Sequence, residues 1–115
     1  MAIIVLVDDN ELFGKQMKDY FEIMWGHTTF QYTSGKEIIE ELENGLRYDV
    51  AIVDADLGDM KGEYIIKKMK EIHPETPVIF STGYSMLSSR YADYIIPKGF
   101  DAPQTLKHTL ESILK

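Results

Sequence analysis

Asp49-Val50-Ala51-Ile52-Val53-Asp54 is the stretch on which the fold turns. The apolar run is too short for a helix, is rich in β-branched residues, and is closed by an acid at each end. A strand over Asp49–Val53 with no polar alternation has both faces buried, as in a parallel sheet rather than a sheet with one wet face. After a polar loop, Gly62–Ile72 carries Ile65, Ile66 and Met69 at helical spacing. Lys67, Lys68 and Lys70 fall largely on the outward side, as a solvated helix face. The unit is strand, loop, helix, with an acid where the strand ends.

The pattern repeats on both sides. Ala2–Val7 is a second apolar run closed by Asp8 and Asp9. Glu11–Trp25 puts Phe13, Met17, Phe21 and Met24 on one helical face, with Asn10 to cap it and Gly26 to end it. Thr28–Tyr32 reads as a strand. Ser34 and Glu37 form a capping box for a helix to about Glu43, which Gly45 terminates. Pro77–Phe80 and a short Tyr94–Ile96 are further strands. Asp101 caps a last helix with Pro103 in its first turn and Leu106, Leu110, Ile113 and Leu114 apolar. Strands alternating with helices give an α/β fold with a parallel sheet. Right-handed crossovers leave few topologies. Five strands point to the flavodoxin-like doubly wound order 2-1-3-4-5, with ligands at the carboxyl ends of the strands.

Composition narrows the class. The 115 residues suit one domain over 1–115, and 44% hydrophobic residues support a packed core. No cysteine is present, which excludes disulfides, thiolate catalysis and zinc–thiolate sites. The net charge of -7 disfavours direct nucleic-acid binding and suits cations. No stretch is apolar enough to span a membrane, and the first residues lack a signal peptide's basic lead, so a cytoplasmic protein is expected.

The strand ends carry the chemistry. Asp8 and Asp9 follow the first strand, Asp54 the third, Thr82 the fourth and Lys98 the fifth. Taken singly, each has a plain structural explanation: Asp and Thr form turns and caps, and Lys is ordinarily solvated. Gathered on one rim, three carboxylates repel unless a cation compensates. A hard divalent ion such as Mg2+ accepts such oxygen ligands. Asp54 is a carboxylate nucleophile suited to forming an aspartyl phosphate. The ion, the lysine and the hydroxyl would stabilise the transferring phosphoryl oxygens.

These residues resemble the receiver domain of two-component response regulators, the CheY-like family, over essentially the whole chain. The resemblance rests on Val5-Leu6-Val7-Asp8-Asp9-Asn10, on Asp49–Gly62 with Leu57, Met60 and Gly62 at the family's offsets, on Phe80-Ser81-Thr82-Gly83-Tyr84, and on Lys98 followed by Phe100. It implies that Asp54 accepts phosphate from a histidine kinase or histidine phosphotransfer protein. It also implies that Asp8, Asp9 and Asp54 hold Mg2+, helped by the backbone carbonyl of Asp56. Thr82 and Lys98 would contact the phosphoryl oxygens. Output would pass to a downstream protein target or an appended output domain. Enzymatic turnover is not expected beyond the domain's own phosphorylation and dephosphorylation.

Several positions depart from that family's pattern. Pro97-Lys98-Gly99 reverses its usual Lys-Pro, so a cis bond after Lys98 would be costly and Gly99 would supply the freedom instead. The switch aromatic normally stands three residues before the lysine. That position is Ile95, while Tyr94 stands four before. Either a residue is inserted, or Tyr94, the switch candidate, points away. The short interval between Thr82 and Lys98 predicts a shortened or missing fourth helix, with Met86–Arg90 making a turn or two at most. Gly58 in place of a frequent proline predicts a looser loop. Two alternatives follow: a pseudo-receiver that binds partners without being phosphorylated, or a small haloacid-dehalogenase-type phosphatase using Asp54 and Asp56. His27, His73 and His108 lack metal-ligand spacing and read as surface residues, and Tyr20 and Trp25 as packing.

Overall fold

The computed structural model describes residues 1–83, 88–98 and 102–114. Its strands are β1 (Ile3–Val7), β2 (Thr28–Tyr32), β3 (Val50–Asp54), β4 (Val78–Thr82) and β5 (Tyr94–Pro97). Its α-helices are α1 (Glu11–Asp19), α2 (Gly35–Glu43), α3 (Gly62–Ile72) and α4 (Ala102–Ile113). The sheet is parallel with order β2-β1-β3-β4-β5, the expected doubly wound arrangement.

Strand alternation sorts the core into two layers. Val5, Val7, Ala51, Val53, Val78 and Phe80 face α2 and α3 and pack on Ile38, Leu42, Ile65, Ile66 and Met69. Ile4, Leu6, Val50, Ile52, Ile79 and Ile96 face α1 and α4 and pack on Met17, Phe21, Leu106 and Leu110. The central strands are therefore buried on both faces, which is why their sequence shows no polar alternation.

Three strands end later than the sequence suggests. The ladder runs on through the pairs Asp54↔Ser81 and Thr82↔Pro97. Asp54 and Thr82 are thus last residues of strands, not first residues of loops. Pro97 is tolerated because β5 is an edge strand.

Local signals perform as the sequence implies. Asn10 accepts from the Phe13 amide at 3.0 Å, and Ser34 from the Glu37 amide at 3.2 Å. Gly26 and Gly45 leave their helices with φ of 76° and 92°. Met24 is a correction. It is 68% exposed, because the last turn of the first helical stretch, Tyr20–Met24, is a π-helix. The Trp25 amide donates to the Tyr20 carbonyl at 3.2 Å. That wider turn carries the i+3 residue off the buried face and keeps the i+4 residue on it. Trp25 accordingly packs on Phe21 at 5.3 Å between ring centroids.

Among the described residues no helix lies between β4 and β5, and Ser88–Arg90 is not helical. Tyr84, Met86, Leu87 and the expected features at Gly99, Phe100 and Asp101 lie outside the described residues. Tyr91 and Ala92 pack on the α2/α3 core layer. Asp93 accepts from the Val78 amide at 2.8 Å and pairs with Lys70 at 2.7 Å. Lys70 also donates to the Thr76 carbonyl at 3.0 Å, so it is not part of a merely solvated face. Among the described residues no helix is long and apolar enough to cross a membrane.

Candidate functional site

Alternation also decides which way the rim residues face. Val7, Val53 and Phe80 look toward α2 and α3, so the next residue of β1 and β3 looks toward α1 and α4. Asp8 and Asp54 therefore share a side. Lys98 joins them, since Ile96, two residues earlier, faces α1 and α4 as well.

The side chains meet there. Lys98 Nζ is 2.7 Å from Asp8 Oδ2 and 3.3 Å from Asp54 Oδ1. It also lies 4.7 Å from the centre of the Phe13 ring on α1, a cation–π distance. Asp8 is 2% exposed and accepts from the Asn10 amide at 2.9 Å with its other oxygen. Asp54 is 9% exposed, and its Oδ1 accepts from the Ala55 amide at 2.8 Å. Asp9 is exposed, yet carboxylate oxygens of Asp8, Asp9 and Asp54 lie within 4.8 Å of one another. Three hard oxygen donors so close, with one ammonium between two of them, fit a divalent cation.

Burial and the Asp8 charge push Asp54 up to about 6, with Lys98 and the Ala55 amide opposing them. Burial alone would lower Lys98, but its bonds and charge contacts with Asp8 and Asp54 outweigh that and raise it. Folded Asp54 thus holds its proton more tightly than the unfolded chain, whose ordinary value is 3.8. Its contribution to stability is present below pH ~4 and lost as pH rises through about 6. In EDTA, Asp54→Asn is expected to be more stable than the parent at pH 7.5 by on the order of 1–3 kcal/mol, with the gap closing toward pH 4. Urea melts at both pH values measure it. An equal gap at both would show that charge is not the cause.

Thr82 is fully buried at the end of β4, and its carbonyl accepts from the Lys98 amide at 2.6 Å. Alternation from Phe80 sets its side chain toward α3, across the sheet edge from Asp8 and Asp54. Asp56 is exposed. Its carboxylate turns back to the Gly58 amide at 3.0 Å and to Lys61 at 3.6 Å, which lowers its pKa. It is committed to its own loop rather than to Asp54, as the phosphatase alternative would need. The short bridge Asp56↔Lys61 uses the Ala55 and Met60 carbonyls, leaving that of Asp56 out of the bridge.

This loop is not loose. Gly58 takes φ 82°, and Leu57 and Gly62 amides bond across the loop at 3.2 and 2.9 Å. Asp59 reaches further and accepts from the Gly35 and Lys36 amides, both at 3.0 Å, capping α2 from another element. Those bonds hold its carboxyl below the usual range.

Tyr94 is not brought to the rim. It pairs with Ile79, three register steps before Thr82↔Pro97, on the α1/α4 side and 42% exposed. Ile95 occupies the side that Thr82 faces. His27 and His73 are more than surface residues: His27 accepts from the Ala2 amide at 3.2 Å, and His73 Nε2 lies 2.9 Å from the Leu46 carbonyl. The sequence offered no sign of Asp59, nor of Phe13 under Lys98, because both meet their partners from distant elements.

Comparison with known proteins adds a family. The family model for the response regulator receiver domain matches residues 4–110. The chain is 30% identical to the transcriptional regulatory protein ZraR of Escherichia coli K12 over 98 residues, 78% of this chain and 21% of ZraR. It is 32% identical over 82 residues to the response regulator SaeR of Staphylococcus aureus USA300, 71% of this chain and 35% of SaeR. The chain thus spans about a fifth to a third of these curated relatives. Among solved structures, the response regulator TrrA of Thermotoga maritima in complex with Mg2+ and beryllofluoride superposes with a TM-score of 0.87. It is 24% identical, covering 98% of this chain and 99% of that one.

Proposed function

The chain belongs to the response-regulator receiver family, and from that premise we propose that Asp54 accepts a phosphoryl group from a phosphohistidine donor. The observation that carries this reading is Lys98 Nζ set between Asp8 Oδ2 and Asp54 Oδ1 at 2.7 and 3.3 Å, beside a third carboxylate, Asp9.

An Asp54 oxygen attacks phosphorus. An O–P bond forms, the N–P bond to the donor imidazole breaks, and that imidazole takes a proton. Asp54 must be ionised to attack, and a value of about 6 leaves it a carboxylate at neutral pH. Lys98 Nζ and the Ala55 amide both meet the Asp54 carboxylate at Oδ1. Asp8, Asp9 and Asp54, with the Asp56 backbone carbonyl, would hold Mg2+, which when bound neutralises charge on the phosphoryl oxygens. Lys98 supplies a fixed positive charge beside the new phosphate. Thr82 serves as the hydroxyl partner on β4.

The donor is a histidine kinase or a histidine phosphotransfer protein. The recipient of the signal is a downstream protein or an attached output domain. The domain itself turns over no external substrate, and it works in the cytoplasm as one unit over residues 1–115.

Acetyl phosphate with Mg2+ should label the protein with one acid-stable, base-labile phosphate. Asp54→Ala should abolish labelling, and EDTA should do the same. An intact fold that takes no label overturns the reading. A second reading, a receiver that binds partners without phosphorylation, draws on Tyr94 lying away from the rim. It predicts equal partner affinity with and without beryllofluoride.

A further inference from the structure

Side chains of α3 reach the described part of the connection from β4 to β5: Lys70 pairs with Asp93, and Glu63 holds Ser89–Tyr91. Glu63, in the first turn of that helix, accepts from the Ser89 hydroxyl at 2.6 Å, the Arg90 amide at 2.8 Å and the Tyr91 amide at 3.3 Å. Ser89 Oγ in turn accepts from the Tyr91 and Ala92 amides at 3.3 and 3.0 Å. No aspect of phosphoryl transfer calls for this arrangement.

The other side of Glu63 leads to Asp54. Asp54 Oδ1 accepts from the Ala55 amide at 2.8 Å, and the Ala55 carbonyl accepts from the Gly62 amide at 2.9 Å. Gly62 immediately precedes Glu63, and its Cα abuts the Asp54 carbonyl so closely that an added Cβ would overlap that oxygen. An unbroken series of hydrogen bonds and backbone contact thus runs from the Asp54 carboxylate to Tyr91. Tyr91 is packed on the core layer that contains Phe80.

We propose that Glu63 is a positioning residue that couples the state of Asp54 to the β4–β5 connection, through Ala55 and Gly62 on one side and Ser89, Arg90 and Tyr91 on the other. This rests on Asp54 being the phosphoacceptor. Loading Asp54 changes what its Oδ1 offers the Ala55 amide. The close-packed turn at Gly62 cannot absorb that change locally, because interiors shift as units rather than deform continuously. Glu63 moves with the turn and carries the three donors with it. The aromatic route is not needed, which accords with Tyr94 lying on the other side of the sheet.

Amide exchange on the full chain tests this, with Mg2+ and beryllofluoride as the probe. In the parent, protection of Arg90, Tyr91 and Ala92 should change at least about fivefold on adding the probe, the lower end of usual coupling strengths. Glu63→Ala should hold that change below about twofold while strand-end amides at Asp54 and Ala55 still respond. Glu63→Gln keeps an acceptor oxygen and should restore most of it. Should Glu63→Ala not fold, Ser89→Ala removes the shortest contact and should weaken the change in the same direction. An undiminished change at Arg90–Ala92 in the Ala variants overturns the proposal. So does a parent that responds at Asp54 but not at Arg90–Ala92, and this leaves the phosphoacceptor reading standing. No response at Asp54 in the parent removes both.

Discussion

Gly62→Ala is expected to lower stability by about 3 kcal/mol or more, although alanine is the better helix former by about 1 kcal/mol. Gly62 opens α3 with ordinary helical backbone, so no conformational strain is at issue. The cost is steric. A Cβ there would overlap the Asp54 carbonyl oxygen and sit 3.2 Å from the Ala55 Cα. Both are backbone atoms of β3 and its exit, in a strand buried along its whole length, and neither can rotate aside. Gly35→Ala is the control. Its Cβ would meet the Met60 side chain, which is unbranched and can swing away. Urea denaturation in EDTA should therefore rank Gly62→Ala well below Gly35→Ala. A Gly62→Ala midpoint at or above the parent's would mean that α3 does not press on Asp54 as described, and would remove the physical basis for coupling through Glu63.

The contrast between those two glycines shows what a sequence can and cannot display. Gly62 was legible as part of a pattern, at a fixed offset from Asp54, but not as a contact. The strands were legible because burial on both faces leaves apolar runs such as Val50–Val53. The order of strands followed from alternation with helices. The rim of Asp8, Asp9, Asp54 and Lys98 followed from the rule that parallel sheets bind at their carboxyl ends. Side-chain direction was another matter. One residue of offset in β5 decides whether Tyr94 or Ile95 shares the side of Thr82, and only the pairing Ile79↔Tyr94 fixes it. The π turn at Tyr20–Met24 and the roles of Asp59, Glu63 and Lys70 depend on partners more than twenty residues away or on a local widening without sequence signature. Periodicity carries no information about such contacts.

Lys98→Met, tested in EDTA, is expected to cost about 2–4 kcal/mol. Lys98 is the one described cation touching two of the clustered carboxylates, and Asp8 is buried to 2% exposure. Removing it strands a buried charge beside a second one. Breaking a fully buried pair costs about 3–5 kcal/mol, but the Lys98 side chain is 23% exposed and water shares the loss. Methionine keeps an unbranched apolar side chain and removes the ammonium's contacts with Asp8, Asp54 and the Phe13 ring, so the measured loss is mainly electrostatic. Because Lys98 is raised above 10.5 in the folded state, its contribution is fully present below that value and is lost only as pH rises beyond it. The deficit of Lys98→Met should therefore hardly vary from pH 7 to 9. It should shrink in acid, as Asp54 takes up its proton through about 6. A divalent cation can do part of the lysine's work. Mg2+ should then stabilise the Met variant more than the parent, by RT ln(1 + [Mg2+]/Kd) with the tighter Kd in the variant. Asp54→Asn in the same background should recover stability without Mg2+, because one of the two repelling charges is gone. If Lys98→Met lies within about 0.5 kcal/mol of the parent in EDTA, the usual range for surface substitutions, the ammonium is not what balances these carboxylates. If it is destabilised but Mg2+ and Asp54→Asn both leave it unchanged, the loss is one of packing, and the three acids are not an electrostatically coupled set.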